Sequence, residues 1–340
     1  MADPDFQLDD DIARAIADLP PEFQKFGRLY QTDLRPELLR REGERVQAAK
    51  TARNSIIGGV GVGGIGAAIG FLGFQIPQLA VLALIAGAAI AGIGSSPMRK
   101  LAGDAKAILV KPVASGFGLS FMDKPGSVPS IQDHRRVGLL PSWDRSSFED
   151  LLTGERSGVN FEFFEARLKQ RRTTTSNGRT RTKYVTVFDG QLIRFDFHKR
   201  FFGETLVTRD AGFFNRFGGR KGMDRARLED PTFEKAFEVY TTDQVESRFL
   251  LTPDMMQSLV DLETTFHGKA LRCAFSGEQM YIAVEGANLF EPGTLFKPLD
   301  NPERVRELLT DFAAVFTLID KVSIARKNEE QSRGEAPDLA

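Results

Sequence analysis

The chain has 340 residues, a formal net charge of −1 and one cysteine. This length accommodates one sizeable domain or two modest ones, and the balanced charge argues against a general nucleic-acid binder. A single cysteine excludes an intramolecular disulfide, which fits a reducing compartment. Phenylalanine, with 28 residues, far outnumbers the 4 tyrosines and the 1 tryptophan. Most aromatic rings of this chain therefore lack a polar group. Such rings are suited to cores or to contact with lipid.

Residues 1–53 are predicted to be mainly helical. Ile12, Ile16 and Leu19 share one helix face, and Pro20-Pro21 interrupts the pattern. After this break, apolar residues are scattered among many charges. We expect a helical segment that leads into the apolar part of the chain.

The most informative feature is the absence of Asp, Glu, Lys, Arg and His from residues 54–98. This run contains two apolar stretches, 55–74 and 76–96, and each has about the 20 residues that a helix needs to cross a hydrocarbon core of roughly 30 Å. The alternative is a buried hairpin of a soluble protein, but a soluble helix normally keeps one polar face toward water. We therefore predict a transmembrane helical hairpin over residues 54–98.

Basic residues flank both outer ends of this hairpin, and its connecting turn has none. Lys and Arg next to a membrane span are retained on the cytoplasmic side. We therefore predict a multi-pass protein of the inner (cytoplasmic) membrane, with both termini cytoplasmic. The flanking residues are Arg40, Arg41, Arg45, Lys50 and Arg53 before the hairpin, and Arg99, Lys100, Lys106 and Lys111 after it.

Small residues recur at helical spacing in both apolar stretches. Such spacing places small side chains on one helix face and allows two backbones to approach closely. Packing of the two helices against each other is the favoured interpretation, and oligomerisation or a pore formed by several hairpins is the alternative. The residues are Gly59, Gly63, Gly66 and Gly70 in the first stretch, and Ala83, Gly87 and Ala91 in the second.

The rest of the chain predicts a second, separate domain. Residues 99–141 are expected to form a juxtamembrane helix and a linker or irregular cover rich in Gly, Ser and Pro. From about Arg145 the apolar–polar alternation is typical of strands, with helices between them. The predicted fold class is therefore α+β: a transmembrane hairpin plus a cytoplasmic, mainly antiparallel sheet domain at 142–326, followed by a disordered tail at 327–340.

Four dipeptides predict turns and helix starts within this domain. Asp189-Gly190 lies between two alternating segments and predicts the turn of a β-hairpin, and Ser276-Gly277 predicts the turn of a second one. Thr252-Pro253 and Asn301-Pro302 each combine a capping residue with a proline suited to the first helical position. Two hairpins and two helices are therefore expected at these positions.

A further motif lies between Leu228 and Pro253. It consists of LEDPTFEKAFEVY followed by TTDQVESRFLLTP. This motif resembles the signature of DUF3137, a bacterial membrane family known only as a domain of unknown function, although Ser247 stands where the family pattern has Ala. Residues 148–154, 188–207 and 289–292 are also similar, and the resemblance extends from the hairpin to about Val322. It implies an apolar helix pair and a cytoplasmic domain, and it implies no activity and no site residues.

No catalytic, cofactor or metal site is predicted. His134, His198 and His267 are far apart and lack the spacing of metal ligands, and Cys273 lies in an apolar alternation typical of a core strand. Residues 61–66 match G-x-G-x-x-G, but no strand precedes them and the next acidic residue is Asp104. A dinucleotide site requires both features.

The acidic residues of the motif are predicted to have structural roles. Asp230 before Pro231 favours a helix cap over a catalytic pair with Glu229, because adjacent residues on an extended segment point apart. Surface or interface ion pairs are predicted for Asp243, Glu246 and Arg248.

Residues 167–183 carry 7 basic residues and no acidic one, with a flexible tip at 173–178. A solvated hairpin loop is the simpler interpretation, and contact with anionic lipid headgroups is the functional one. Nucleic acid is disfavoured because no aromatic residue alternates with these charges. Residues 213–221 combine phenylalanines with further cations. The candidate headgroup contacts are Arg167, Lys169, Arg171, Arg172, Arg179, Arg181, Lys183, Arg216, Arg220 and Lys221.

These features favour a membrane-anchored, non-enzymatic scaffold or regulatory protein that presents a cytoplasmic α+β domain for protein or lipid contact. A protein partner or a homo-oligomer is expected, and no cofactor. The alternative is a glycine-rich hairpin that oligomerises as a channel or transporter subunit. A membrane-tethered hydrolase with an unrecognised active site is a third class.

Overall fold

The computed structural model describes residues 9–176, 179–197, 200–209, 222–228, 230–265, 269–286, 288–291 and 296–334. The chain divides into two compact units. The first comprises Met1–Val113 and Phe290–Thr310, and the second comprises Ala114–Leu289 and Asp311–Ala340.

Helices build the first unit. Ile12, Ile16 and Leu38 are fully buried, so the apolar face predicted near the start of the chain packs inside this unit. The helices are α1 (Asp10–Ile16), α2 (Lys25–Leu29), α3 (Arg35–Arg40), α4 (Glu42–Ala68), α5 (Pro77–Gly94) and α6 (Ser96–Gly116), with a 3-10 turn at Pro21–Phe23 and π-helical turns at Tyr30–Leu34 and Ile69–Gly73.

An antiparallel sheet builds the second unit. Its strands are β1 (Ser120–Met122), β2 (Arg145–Arg156), β3 (Val159–Ser176), β4 (Arg179–Asp196), β5 (Thr205–Thr208), β6 (Asp224–Ala226), β7 (Glu238–Thr241), β8 (Lys269–Ser276) and β9 (Gln279–Glu285). Within the described residues, the strand order is β1-β2-β3-β4-β9-β8-β5-β7-β6. The interspersed helices are α7 (Ile131–Arg136), α8 (Pro231–Ala236), α9 (Gln244–Leu250), α10 (Pro253–Thr265) and α11 (Pro302–Gly334). The predicted α+β fold class, with two long apolar helices before a mainly antiparallel sheet, is confirmed.

One face of the sheet packs against the segment that precedes β2. Val128, Ile131 and Leu139 of this segment are buried against Phe164 and Leu192 of the central strands. The segment rich in Gly, Ser and Pro therefore forms an irregular cover over this face of the sheet. Its few apolar side chains pack against one face of the sheet and exclude water from the core.

The turn predicted at Asp189-Gly190 is wrong. Both residues lie inside β4, where Asp189 pairs with Arg167 and Gly190 pairs with Ala166 on one side and Glu285 on the other. A Cβ atom at Gly190 would overlap the carbonyl oxygen of Val284 and lie 2.9 Å from Cα of Glu285. Glycine is therefore required by the close approach of a neighbouring strand and not by a turn.

We expect Gly190→Ala to lower the free energy of unfolding by about 3 kcal/mol, because the added methyl group forces β4 and β9 apart. Urea unfolding of the full chain in detergent, followed by fluorescence of Trp143, measures this change. Trp143 packs against the same core and is the only tryptophan of the chain. Gly126→Ala is the control, because a Cβ atom there meets nothing within 4 Å. Equal effects of the two substitutions would contradict the prediction.

The other three dipeptide predictions are confirmed. Ser276 pairs with Gln279 across the tight turn between β8 and β9, and Gly277 has a φ of +68°. The Thr252 hydroxyl accepts from the amide of Met255 at 3.3 Å, and the Asn301 side chain accepts from the amide of Glu303 at 3.1 Å. These bonds cap the starts of α10 and α11.

The end of the chain differs from the sequence-based expectation at one point. The helix α11 continues to Gly334, through residues 327–334 that were predicted to belong to a disordered tail. This stretch is rich in Glu, Gln, Lys and Arg, which are good helix formers. A helix that has already formed is extended at little cost.

Candidate functional site: a membrane anchor and a basic arm

Two helices are long and apolar enough to cross a membrane, as judged by length and composition: Glu42–Gly73 and Pro77–Gly116. Their large apolar side chains point outward, and Val60, Leu72 and Ile93 are 69%, 76% and 75% exposed. A core helix of a soluble protein would bury such side chains. The two helices therefore suggest membrane anchoring, since a lipid environment is the one in which this surface is stable.

The two helices approach each other through their small residues. A Cβ atom at Gly87 would overlap the carbonyl oxygen of Gly59 and lie 2.9 Å from Cα of Gly63. A Cβ atom at Gly66 would lie 2.7 Å from Cβ of Ala83, and one at Gly70 would lie 2.7 Å from the amide nitrogen of Ala80. A Cβ atom at Gly59 would lie 3.2 Å from Cβ of Ala91. By contrast, a Cβ atom would meet nothing within 4 Å at Gly58, Gly61, Gly64 and Gly92.

The basic segment of the sequence forms the end of a long β-hairpin. The strand β2 pairs with β3 only as far as Lys169, and β9 pairs with β4 only from Gly190. Beyond these points, residues 170–176 and 179–185 pair with each other and with no other described strand, and we call this two-stranded ribbon the basic arm. With about 3.3 Å per residue, its seven-residue β3 side is roughly 23 Å long.

Strand register sorts the side chains of the basic arm onto two faces. Arg172 lies directly opposite Lys183, and Thr174 lies directly opposite Arg181. Because directly opposite residues of an antiparallel pair share a face, Arg172, Arg181 and Lys183 all lie on one face, which we call the cation face. All three are exposed, and none makes an ion pair with a described residue.

The opposite face of the basic arm is rich in threonine. The hydroxyl oxygens of Thr173 and Thr182 are 3.2 Å apart, as are those of Thr175 and Thr180. At the base of the arm, the Arg145 guanidinium lies 3.7 Å from the ring centroid of Tyr184. These cross-strand contacts and the β-propensity of threonine stabilise a ribbon that would otherwise be marginal.

The remaining candidate headgroup contacts have different positions. Arg167 pairs with Asp189 at 2.8 Å, and this carboxylate raises the pKa of the guanidinium. Lys169 is half-buried at the base of the arm, and Arg171 lies on the threonine face. The backbone of Arg179 pairs with that of Ser176. The positions that lie outside the described residues are Arg216, Arg220 and Lys221.

The acidic residues of the family-like motif organise two short helices. The Asp230 carboxylate accepts from the amides of Thr232 and Phe233 at 2.7 and 3.0 Å, which confirms the predicted cap of α8. The Asp243 carboxylate accepts from the amides of Val245 and Glu246 at 2.9 and 3.0 Å. Asp243 is therefore the cap of α9, and the surface or interface ion pair predicted for it stays a prediction.

Glu246 also differs from the prediction of a surface ion pair. Its side chain is buried, and its two carboxylate oxygens accept from the backbone amides of Phe202 and Gly203 at 3.0 and 2.7 Å. This contact, which we call the Glu246 clamp, fixes the loop before β5 against α9. The carboxylate compensates its burial with two charge-assisted hydrogen bonds. Arg248 is exposed on the same helix.

The Glu246 clamp also positions an exposed apolar surface. Phe202 is 88% exposed beside α9, and Val245 and Phe249 of that helix are exposed as well. Val245 and Phe249 are four residues apart and therefore share a helix face with Arg248. Sequence reasoning missed this surface, although two apolar residues at this spacing in a polar segment were a usable signal.

Arg272 is a second residue that sequence reasoning missed. It is fully buried in β8, where it donates to the carbonyl oxygen of Leu139 at 2.7 Å and to the carboxylate of Glu285. Burial lowers its pKa to about 9. The bond to Leu139 holds the irregular cover to the sheet. The available signal was an arginine between Leu271 and Cys273 in an otherwise apolar strand.

His134 of α7 is buried in the core of the sheet domain. Its ring nitrogens Nδ1 and Nε2 lie 3.0 Å from the carbonyl oxygen of Ser130 and 3.1 Å from that of Ile193. Phe164 and Tyr281 contact the ring edge-to-face. Burial lowers the pKa of His134 to about 4, because the charged imidazolium would lose its hydration. This effect outweighs that of the two carbonyl oxygens, which by themselves would raise the pKa.

We expect the free energy of unfolding to decrease as the pH falls from 6.5 to about 4, with a contribution from His134 of about 3 kcal/mol. In this range the unfolded chain binds a proton at His134 while the folded chain does not, so acid favours unfolding. Urea unfolding followed by Trp143 fluorescence across this range measures the slope. The variant His134→Gln should show a shallower slope, and parallel curves for the two proteins would contradict the prediction.

The remaining candidate ligands in the sequence are Cys273, His198 and His267. Cys273 is fully buried, and burial raises the pKa of its thiol. His198 and His267 lie outside the described residues. Among the residues that are described, no group of three His, Cys, Asp or Glu side chains is arranged to hold a metal ion.

The first unit contains a cavity of about 260 Å³. Arg35 reaches Asp9 at 3.1 Å and Asp300 at 3.6 Å beside this cavity, and the Tyr30 hydroxyl donates to the carbonyl oxygen of Asp300. Burial raises the pKa of Tyr30, so this hydroxyl remains a donor. These contacts join α1 and α3 to the residues before α11, and they are structural.

The fold and these surfaces define a class of protein: an α+β sheet domain that follows two candidate membrane-spanning helices. Residues 186–324 match the family model described as Protein of unknown function (DUF3137), and they form a DUF3137 family domain. The resemblance of the motif is thereby confirmed. The basic arm lies mostly before the matched residues.

Comparisons with curated proteins and with solved structures add one distant similarity. A search of curated proteins found no match. A crystal structure of the mycobacterial trehalose monomycolate transport factor A, TtfA, matches with a TM-score of 0.31 and 8% sequence identity, and the match covers 63% of this chain and 95% of that chain.

Proposed function

We propose that this protein is a non-enzymatic inner-membrane protein that presents its α+β domain to the cytoplasm for lipid or protein contact. In this proposal α4 and α5 cross the bilayer as a hairpin, and both termini are cytoplasmic. The observation that carries the proposal is the outward-facing apolar surface of two adjacent helices of spanning length. The distribution of Lys and Arg on the outer ends of the hairpin supports the orientation.

The contacts within the hairpin favour an anchor over a channel subunit. Gly59, Gly63 and Gly87 face the neighbouring helix of the same chain, so these small residues are already used for packing. The outward faces of the two helices carry Val, Leu, Ile and Phe, which suit lipid and not a water-filled path.

Membrane extraction and labelling of single cysteines test this proposal. The protein should resist alkaline carbonate and require detergent. In a Cys273→Ala background, Gln75→Cys in the connecting turn should react with an impermeant maleimide in intact cells whose outer membrane has been made permeable. Lys111→Cys should react only after the inner membrane is opened. Release by carbonate, or labelling of Lys111→Cys from outside, would refute the anchor or its orientation.

A further inference from the structure

The cation face of the basic arm concentrates like charges. Arg172 and Lys183 lie directly opposite each other, an arrangement of like charges that destabilises a strand pair. Arg181 adds a third charge to the same face, and none of the three makes an ion pair with a described residue. An external anion would remove this repulsion.

The shape of the basic arm determines which anions can reach these charges. No described strand pairs with either long edge of the arm, and its described side chains are exposed on both faces, except near its base. Three cations on one exposed face of the ribbon can therefore approach an extended anionic surface simultaneously. A second copy of the arm is disfavoured because it would bring six positive charges together.

We propose that the cation face of the basic arm binds the headgroups of anionic phospholipids. This inference rests on the proposed membrane anchor, which would keep the arm near a negatively charged leaflet. Tyr184 lies on the opposite face, so the cation face lacks the aromatic rings on which bases stack. Each cation near such a surface contributes roughly a fivefold gain in binding, so the three together contribute roughly a hundredfold.

The test uses the full chain in nanodiscs of phosphatidylcholine or of equal parts phosphatidylcholine and phosphatidylglycerol, with a quencher attached to some headgroups. A fluorophore on Thr174→Cys reports contact, because position 174 lies on the cation face and the native Cys273 is buried. We expect quenching in the phosphatidylglycerol discs, and we expect added salt to reverse it.

A triple variant and a matched control identify the residues responsible. Arg172→Ser, Arg181→Ser and Lys183→Ser together should abolish the quenching. The control, Lys124→Ser, Lys235→Ser and Arg306→Ser, removes three exposed cations elsewhere and should retain it. Equal quenching in phosphatidylcholine discs, or quenching that survives the first triple variant, would overturn the proposal.

Two other outcomes also decide the proposal. A fluorescence change with soluble polyglutamate or DNA, without one with phosphatidylglycerol, would assign the arm to a soluble polyanion and overturn the lipid assignment. If the chain does not enter nanodiscs, the membrane anchor is wrong. Flotation of the same chain and its variants with phosphatidylglycerol vesicles would then test the arm separately.

Discussion

Replacement of Gly87 by leucine is expected to separate the two helices of the hairpin. A Cβ atom at this position already overlaps the carbonyl oxygen of Gly59, and the rest of a leucine side chain would have to displace the backbone near Gly63. We expect a loss of about 3 kcal/mol in the stability of the hairpin, the upper part of the usual range for overpacking. Thermal unfolding in micelles and hydrogen exchange of α4 and α5 measure this loss.

Gly92→Leu on the same helix is the matched control. A Cβ atom at Gly92 meets nothing within 4 Å, so a leucine there would face outward, toward lipid in the proposed anchor, and should be tolerated. If Gly92→Leu were the disruptive substitution, the outward face of α5 would contact another copy of the chain. That result would favour the alternative of a channel or transporter subunit over the anchor.

The parts of the fold that the sequence predicts correctly depend on local physics. The length and composition of residues 54–98 specify two apolar helices regardless of what surrounds them. The caps at Asp230, Thr252 and Asn301 are bonds within a few residues of chain, so a short motif is sufficient to predict them. The turn at Ser276-Gly277 is equally local.

The parts that the sequence does not predict depend on distant residues. Asp189-Gly190 has the composition of a hairpin turn, but Gly190 is required because Val284, far along the chain, approaches it closely. The charges of residues 167–183 are evident in the sequence, whereas their division into a cation face and a threonine face follows from strand register. Register is set by pairing across the whole sheet and cannot be read from one segment.

The acidic residues of the motif at 228–253 are explained by backbone contacts. Asp230 and Asp243 cap consecutive helices, and Glu246 binds the amides of a loop more than forty residues earlier in the chain. These carboxylates are therefore occupied in holding backbone groups. The motif therefore holds two short helices and one loop in place, and the basic arm lies outside it.

We expect Glu246→Ala to destabilise the sheet domain by about 3 kcal/mol. The substitution leaves the amides of Phe202 and Gly203 without their acceptor, and hydrogen bonds to charged groups contribute more than neutral ones. Urea unfolding followed by Trp143 fluorescence gives the global effect. Hydrogen exchange of the peptide that contains residues 202 and 203 gives the local effect, which should be a large loss of protection.

Two comparisons separate the Glu246 clamp from a general effect of removing a glutamate. Glu246→Gln retains an oxygen that can accept from one amide, so its effect should be intermediate. Glu234→Ala, in the same motif, removes one exposed bond to the amide of Leu228 and should cost less than about 1 kcal/mol. If Glu246→Ala and Glu234→Ala were equally mild, the two amides would be satisfied by water. Glu246 would then not fix the loop that presents Phe202.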